Sequence, residues 1–422
     1  MSSPPAPSLA RRLDLGDAVV IGLGSMIGAG IFAALAPAAR AAASGAGLLA
    51  GLAVAAVVAY CNATSSARLA ARYPASGGTY VYGRERLGDF WGYLAGWAFV
   101  VGKTASCAAM ALTVGAYAWP DQRQAVAVGA VVALTAVNYR GVQKSAWLTR
   151  AIVAAVLAVL AAVVVTALTG GAADADRLTA GGGASVHGVL QAAALLFFAF
   201  AGYARIATLG EEVRDPARTI PRAIPLALGL TLITYALVAV AVLAVLGSGR
   251  LADATAPLAE AARASGADWL APVVRIGATV AALGSLLGLI LGISRTTLAM
   301  ARDRHLPPAL AAVHPRFAVP HRAELVVGGV VAAVAATVDV RGAIGFSSFG
   351  VLVYYAIANA SAWTLGPDEG RPPRAVPVTG LLGCLVLAFA LPVTSIAAGA
   401  GVLAVGVAAY LVRRAWRQGR TG

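Results

Sequence analysis

The feature that most restricts how this chain can fold is the recurrence, from one end to the other, of uncharged apolar runs about 20 residues long. A helix rises about 1.5 Å per residue, so each such run matches the ~30 Å hydrocarbon core of a bilayer. Of the 422 residues, 59% are hydrophobic and 12% charged. A soluble chain of this length must cover itself with polar surface and cannot be so apolar. Twelve spans can be placed, roughly at 17–36, 44–67, 89–118, 123–139, 145–169, 186–210, 223–247, 270–299, 323–339, 342–364, 375–391 and 393–412. The sequence therefore predicts an all-α polytopic membrane protein with about 12 transmembrane helices and no soluble domain.

The net charge of +14 raises the question of a nucleic-acid partner, and its distribution answers it. With the N-terminus inside, the outer segments hold Arg40, Arg123, Arg177, Arg250, Arg263 and Arg341, while most of the 32 Lys and Arg residues fall in inner segments. This is the positive-inside pattern, and it accounts for the basic balance without nucleic acid. It predicts cytoplasmic tails at 1–16 and 413–422 and a multi-pass location in the plasma (cell inner) membrane. The opening MSSPPAPSLARRLDLGD is polar and basic, unlike a cleavable leader. Cys61, Cys107 and Cys384 lie scattered in apolar runs and read as small buried hydrophobes. The four histidines lie outside the span centres and form no metal cluster, so no metal or cofactor is expected.

Alanine and glycine let helices pack closely in lipid, which explains much of the glycine content. Two places resist that explanation. Residues 22–32 read GLGSMIGAGIF, with four glycines in the middle of the first span. In the sixth, LQAAALLFFAFAGYARIATLGEEV, aromatic residues crowd against Gly202 and Arg205 follows. The two spans are five apart in the order of spans, as expected if 17–169 and 186–364 are repeats of opposite topology, with 375–412 peripheral. Paired interruptions in two such halves point to a binding site at mid-membrane, and broken backbone at that depth must be buried in protein or line a cavity. Freed amides near Gly28, Ala29 and Gly30 suit a carboxylate. Freed carbonyls at Met26, Phe198 and Ala201 suit an ammonium group. The alternatives are glycines that serve packing alone, or a nucleotide fingerprint; the latter lacks its preceding strand.

Lys103 is the charge most deeply placed in a span. Ionisable groups at that depth mark function by default. Burial disfavours the charged form of an amine, so Lys103 is a candidate proton carrier, or a fixed charge for a substrate carboxylate. Snorkelling to an interface is the bland alternative. Arg205 stays charged and is expected to pair with Glu211 or Glu212 in the inner vestibule, with an acidic substrate side chain as the alternative partner. For the two glutamates a gate is the sharper reading and a solvated helix end the bland one. His305, His314 and His321 share an inner loop.

These residues resemble the amino acid–polyamine–organocation superfamily of permeases. GSMIGAGIF resembles its first-helix signature, RYPASGGTYVY its P-x-S-G-G-x-Y motif, FFAFAGYARIATLGEEVRDPARTIPRAI its sixth-helix pattern, and SRTTLAMARDRHLPP its loop after helix eight. The resemblance covers spans one to ten. It implies a LeuT-like fold of 5+5 inverted repeats, discontinuous helices 1 and 6, and two peripheral helices. It also implies secondary transport of amino acids or related amines by alternating access. By position, Ala29 and Gly30 would take the substrate carboxylate, the Met26 and Ala201 carbonyls its amine, and Phe198 would close over it. The chain departs from cationic members at Gly102 and Ala204, where acidic residues are expected, and at Val156, where a lysine is. Neutral or acidic substrates with proton coupling or exchange are therefore expected. Sodium coupling through Ser285, Ser294 or Thr297 is the alternative, as is a transporter-like sensor. A channel lacks a filter repeat here, and an enzyme lacks H-E-x-x-H, G-x-S-x-G or a carboxylate pair within a span.

Overall fold

The computed structural model describes residues 13–74, 77–141, 146–207 and 213–418, which contain helices and no strand. Among them, nine helical segments are long and apolar enough to cross a membrane. The chain begins with α1 (Leu15–Met26), α2 (Ala29–Ala33) and α3 (Leu35–Ala42). There follow α4 (Gly45–Arg72), the short α5 (Thr79–Leu87), α6 (Asp89–Ala118), α7 (Arg123–Tyr139) and α8 (Ala146–Thr169). The same succession then recurs: α9 (Val186–Phe200) with α10 (Ala204–Ala207), α11 (Pro216–Asp253), the short α12 (Pro257–Ala264), α13 (Leu270–Arg302), α14 (His321–Thr337) and α15 (Val340–Trp363). The chain ends with α16 (Ala375–Ala390) and α17 (Val393–Gln418).

Three of the expected spans correspond to helices of 16 or 17 residues, α7, α14 and α16. At about 1.5 Å per residue they reach only about 25 Å, less than a full hydrocarbon core. The short helices α5 and α12 fall in segments expected to be loops. Helix α11 starts at Pro216, earlier than expected, because proline is well tolerated in a first helical turn.

The packing is reciprocal. Helix α4 lies against α9 and α11, α6 against α13, α14 and α15, and α7 against α13 and α14. Helix α1 lies against α8 and α11. Small residues make these contacts close: at Gly102 and Gly350 the backbones of α6 and α15 meet, leaving little room for a side chain on either. Some polar groups inside the bundle are joined across helices. The Asn359 amide donates to Asn62 Oδ1 at 2.6 Å and accepts from the Ser65 hydroxyl at 2.7 Å. The three cysteines are buried and free.

Candidate functional site

The first span does not run through as one helix. It stops at Met26, turns at Ile27 (φ −79°, ψ 56°) and Gly28, and restarts at Ala29. Ala34 keeps right-handed helical angles, so α2 and α3 form one second half-helix with a slight bend. In the sixth span α9 ends at Phe200 and tightens into a 3-10 turn over Ala201–Tyr203 before α10. Tightening to i→i+3 bonding alters the carbonyl directions and marks a strained or functional stretch.

Glycines bring the two interruptions together. A Cβ on Gly202 would strike the backbone of Ser25 and Met26, and one on Gly30 would lie 2.7 Å from the Ala199 Cα. Gly28 lies against the Ser285 side chain of α13. Only a residue without a side chain permits these approaches. Gly28, Ala29 and Gly30 head the second half-helix, whose first-turn amides have no partner within it, although the Gly28 amide donates back to the Met26 carbonyl at 2.8 Å. Met26, Ala29 and Gly30 are buried.

The freed carbonyls have donors from other helices. Lys103 Nζ, buried on α6, donates to the Ala201 carbonyl at 3.0 Å. The Tyr355 hydroxyl of α15 reaches the same oxygen at 3.4 Å. The Tyr235 hydroxyl of α11 lies 2.6 Å from the Met26 carbonyl and 3.1 Å from that of Ala199. Three helices, α6, α11 and α15, therefore converge on two breaks, where an ammonium and two phenols hold carbonyls at the interruptions. Phe198 is buried on α9, and its neighbours Phe197 and Phe200 pack on Tyr355 and Tyr235.

Sequence reasoning missed Tyr235, Tyr355 and the proximity of Ser285. Each sits on a distant element in no local motif; the one signal was a polar-tipped aromatic within an apolar span. The Ser285 hydroxyl donates to the Gly24 carbonyl at 3.2 Å, beside a cavity of about 20 Å³ lined by Gly24, Ile27, Thr149 and Val153. Ser294 instead bonds back to its own helix at the Ile290 carbonyl, and Thr297 is buried further along α13. Val156 is buried in the apolar core.

Arg205, partly buried on α10, directs its guanidinium toward α13 near Gly292. The expected partners Glu211 and Glu212 lie outside the described residues. Among the described residues, no group of three or more His, Cys, Asp or Glu is placed to hold a metal ion.

A family model described as amino acid permease matches residues 13–412. An uncharacterized transporter of Mycobacterium tuberculosis is 80% identical over 96% of this chain and 92% of its own length. The chloroplastic cationic amino acid transporter 7 of Arabidopsis thaliana is 28% identical over 86% of this chain and 68% of its own. The branched-chain amino acid permease BcaP of Bacillus subtilis is 26% identical over 96% and 93%. These relatives are permeases and transporters rather than enzymes. With the family model spanning nearly its whole length and its helices fit to cross a bilayer many times, the chain belongs to the amino acid permease family.

Proposed function

We propose that this permease is a secondary active transporter that moves neutral or acidic amino acids across the plasma membrane by alternating access, coupled to protons or running as an exchanger. The observation that carries this reading is the abutment of two interrupted spans, with the Lys103 ammonium seated on the Ala201 carbonyl. In this account the amides of Gly28, Ala29 and Gly30 receive the substrate carboxylate. The Met26 and Ala201 carbonyls, beside Gly202, receive its amine, and Phe198 closes over the side chain. The substrate amine must then displace Lys103 from Ala201. A proton leaving Lys103 removes the charge that holds it there, which links proton movement to substrate arrival. A cation already present disfavours a second one on the substrate side chain. Gly102 agrees, because its close approach to α15 leaves little space for the acidic side chain expected in cationic members. Arg205, with Glu211 and Glu212, is assigned to the inner vestibule.

The proposed architecture is LeuT-like, with 12 spans. The first inverted repeat covers 17–169, the second 186–364, a peripheral pair 375–412, and both tails, 1–16 and 413–422, are cytoplasmic. Helix packing supports it. Counterparts α4 and α11, α6 and α13, and α7 and α14 lie against one another. Crossed contacts come in matched sets: α4 with α9 as α11 with α1, α6 with α15 as α13 with α8, and α6 with α14 as α13 with α7. A two-fold axis generates such reciprocity, and α5 and α12 occupy the same place in each half.

Sodium coupling is the second reading, favoured by Ser285 beside the α1 break and the small cavity between α1, α8 and α13. Thermal shift of the purified protein against the amino acids, at two pH values and with or without sodium, tests both. A ligand that binds the folded state raises apparent stability by about 2.7 kcal/mol at a hundredfold excess over its dissociation constant. Stabilisation by neutral or acidic amino acids, dependent on pH and indifferent to sodium, is expected. A response confined to arginine, lysine or polyamines would overturn the substrate class.

A further inference from the structure

Where α6 begins, α17 ends and the chain leaves α13, a cavity of about 480 Å³ opens. Its size falls in the range of small-molecule sites. Arg304, Arg413 and Arg414 line it, against a single carboxylate, Asp89. That carboxylate is engaged within the wall: it accepts from the Tyr410 hydroxyl at 2.9 Å and lies 3.3 Å from His305 Nε2. His305 is itself buried, with Nδ1 2.9 Å from the Tyr80 hydroxyl, and its carbonyl accepts from the Arg413 guanidinium. The wall is thus preassembled, with a surplus of guanidinium charge.

The remaining lining is apolar and aromatic. Phe90 packs edge-on against Tyr410, and Tyr93 stacks near the same ring at 5.0 Å. The cavity lies at the ends of three membrane-capable helices, which places it at the level of lipid headgroups. Exposed Trp91 lines it, and exposed Trp416 lies two residues beyond Arg414 on α17, as interfacial tryptophans favour. On the outward side of α17, Leu411 and Val412 are exposed and available to acyl chains.

We infer that this cavity binds the phosphate headgroup of an anionic phospholipid, with the lipid's acyl chains running along α17. Guanidinium pairs match phosphate oxygens in charge and geometry, and basic pockets between helix ends at a membrane surface select such headgroups. The amphipathic lining favours a lipid over a free phosphoanion: aromatic walls and an exposed apolar helix offer nothing to inorganic phosphate. Separate from the α1 and α9 interruptions, the site does not depend on which amino acid is carried.

The test uses the full chain purified in a neutral detergent. Dioctanoyl phosphatidylglycerol, dioctanoyl phosphatidylcholine and inorganic phosphate are titrated in turn, with the unfolding midpoint as readout. Phosphatidylglycerol is expected to raise the midpoint saturably and the other two to leave it unchanged. The variant Arg414→Gln, altered at an exposed side chain, should keep the lipid-free midpoint and bind phosphatidylglycerol about tenfold more weakly. The double variant Arg304→Gln/Arg414→Gln should lose the response. Equal stabilisation by phosphatidylcholine, equal stabilisation by phosphate, or an unchanged response in both variants would overturn the inference.

Discussion

At Gly202 a single missing side chain decides how closely two spans approach. An added Cβ there would meet the Ser25 carbonyl, its carbon and the Met26 nitrogen, all backbone atoms that cannot swing aside. Gly229, on α11, has open space at the same position. Gly202→Ala is therefore expected to separate the interruptions, lowering the unfolding midpoint and abolishing amino acid uptake in cells. Gly229→Ala should leave uptake intact and stabilise the helix by about 0.5–1 kcal/mol. Equal behaviour of the two variants would show that the close approach is immaterial. The glycines that permit such contacts were visible in the sequence because each departs from what an apolar span needs. The residues they meet were not. Nothing local to Tyr235, Tyr355 or Ser285 reveals that the two interrupted spans carry the Met26, Ala201 and Gly24 carbonyls to them.

Between elements, the connection from α15 to α16 is clasped to the ends of α4 and α5. Glu369 forms an ion pair with Arg86 Nη2 at 2.5 Å and accepts from Arg72 Nε at 3.1 Å. Its side chain also takes the Gly366 amide at 2.9 Å. Arg86, then the Gly366 amide and Arg72, hold its carboxyl down to about 2, below the ordinary 4.5. A depressed carboxylate stabilises the fold above its unfolded value, and that contribution is lost as pH falls through the folded one. The unfolding midpoint of the purified protein should therefore drop between pH 4.5 and about 2, and Glu369→Gln should flatten that part of the profile. An identical profile in the variant would remove the clasp from the account. Long elements such as α4, α6 and α13 were legible as extended, largely apolar runs. The short helices α5 and α12 were not, because α5 in particular is mixed in polarity and leans on α6 for its stability.

For the whole molecule, the membership of the amino acid permease family and the many membrane-capable helices rest on composition and motifs spread along the chain. What composition could not supply is the reciprocal packing of α4 on α11, α6 on α13 and α7 on α14, which arises only when distant segments meet. The central claim is that exposed backbone at two breaks, governed by Lys103, carries amino acids through the bilayer. Counterflow in proteoliposomes loaded with unlabelled neutral or acidic amino acid, measured across roughly pH 5 to 8, tests it most directly. The account predicts trans-stimulated, pH-dependent entry of label in the wild type, and its loss or loss of pH dependence in a folded Lys103→Met protein. Entry without trans-stimulation, binding without any entry, or a Lys103→Met variant indistinguishable from wild type at every pH would contradict it.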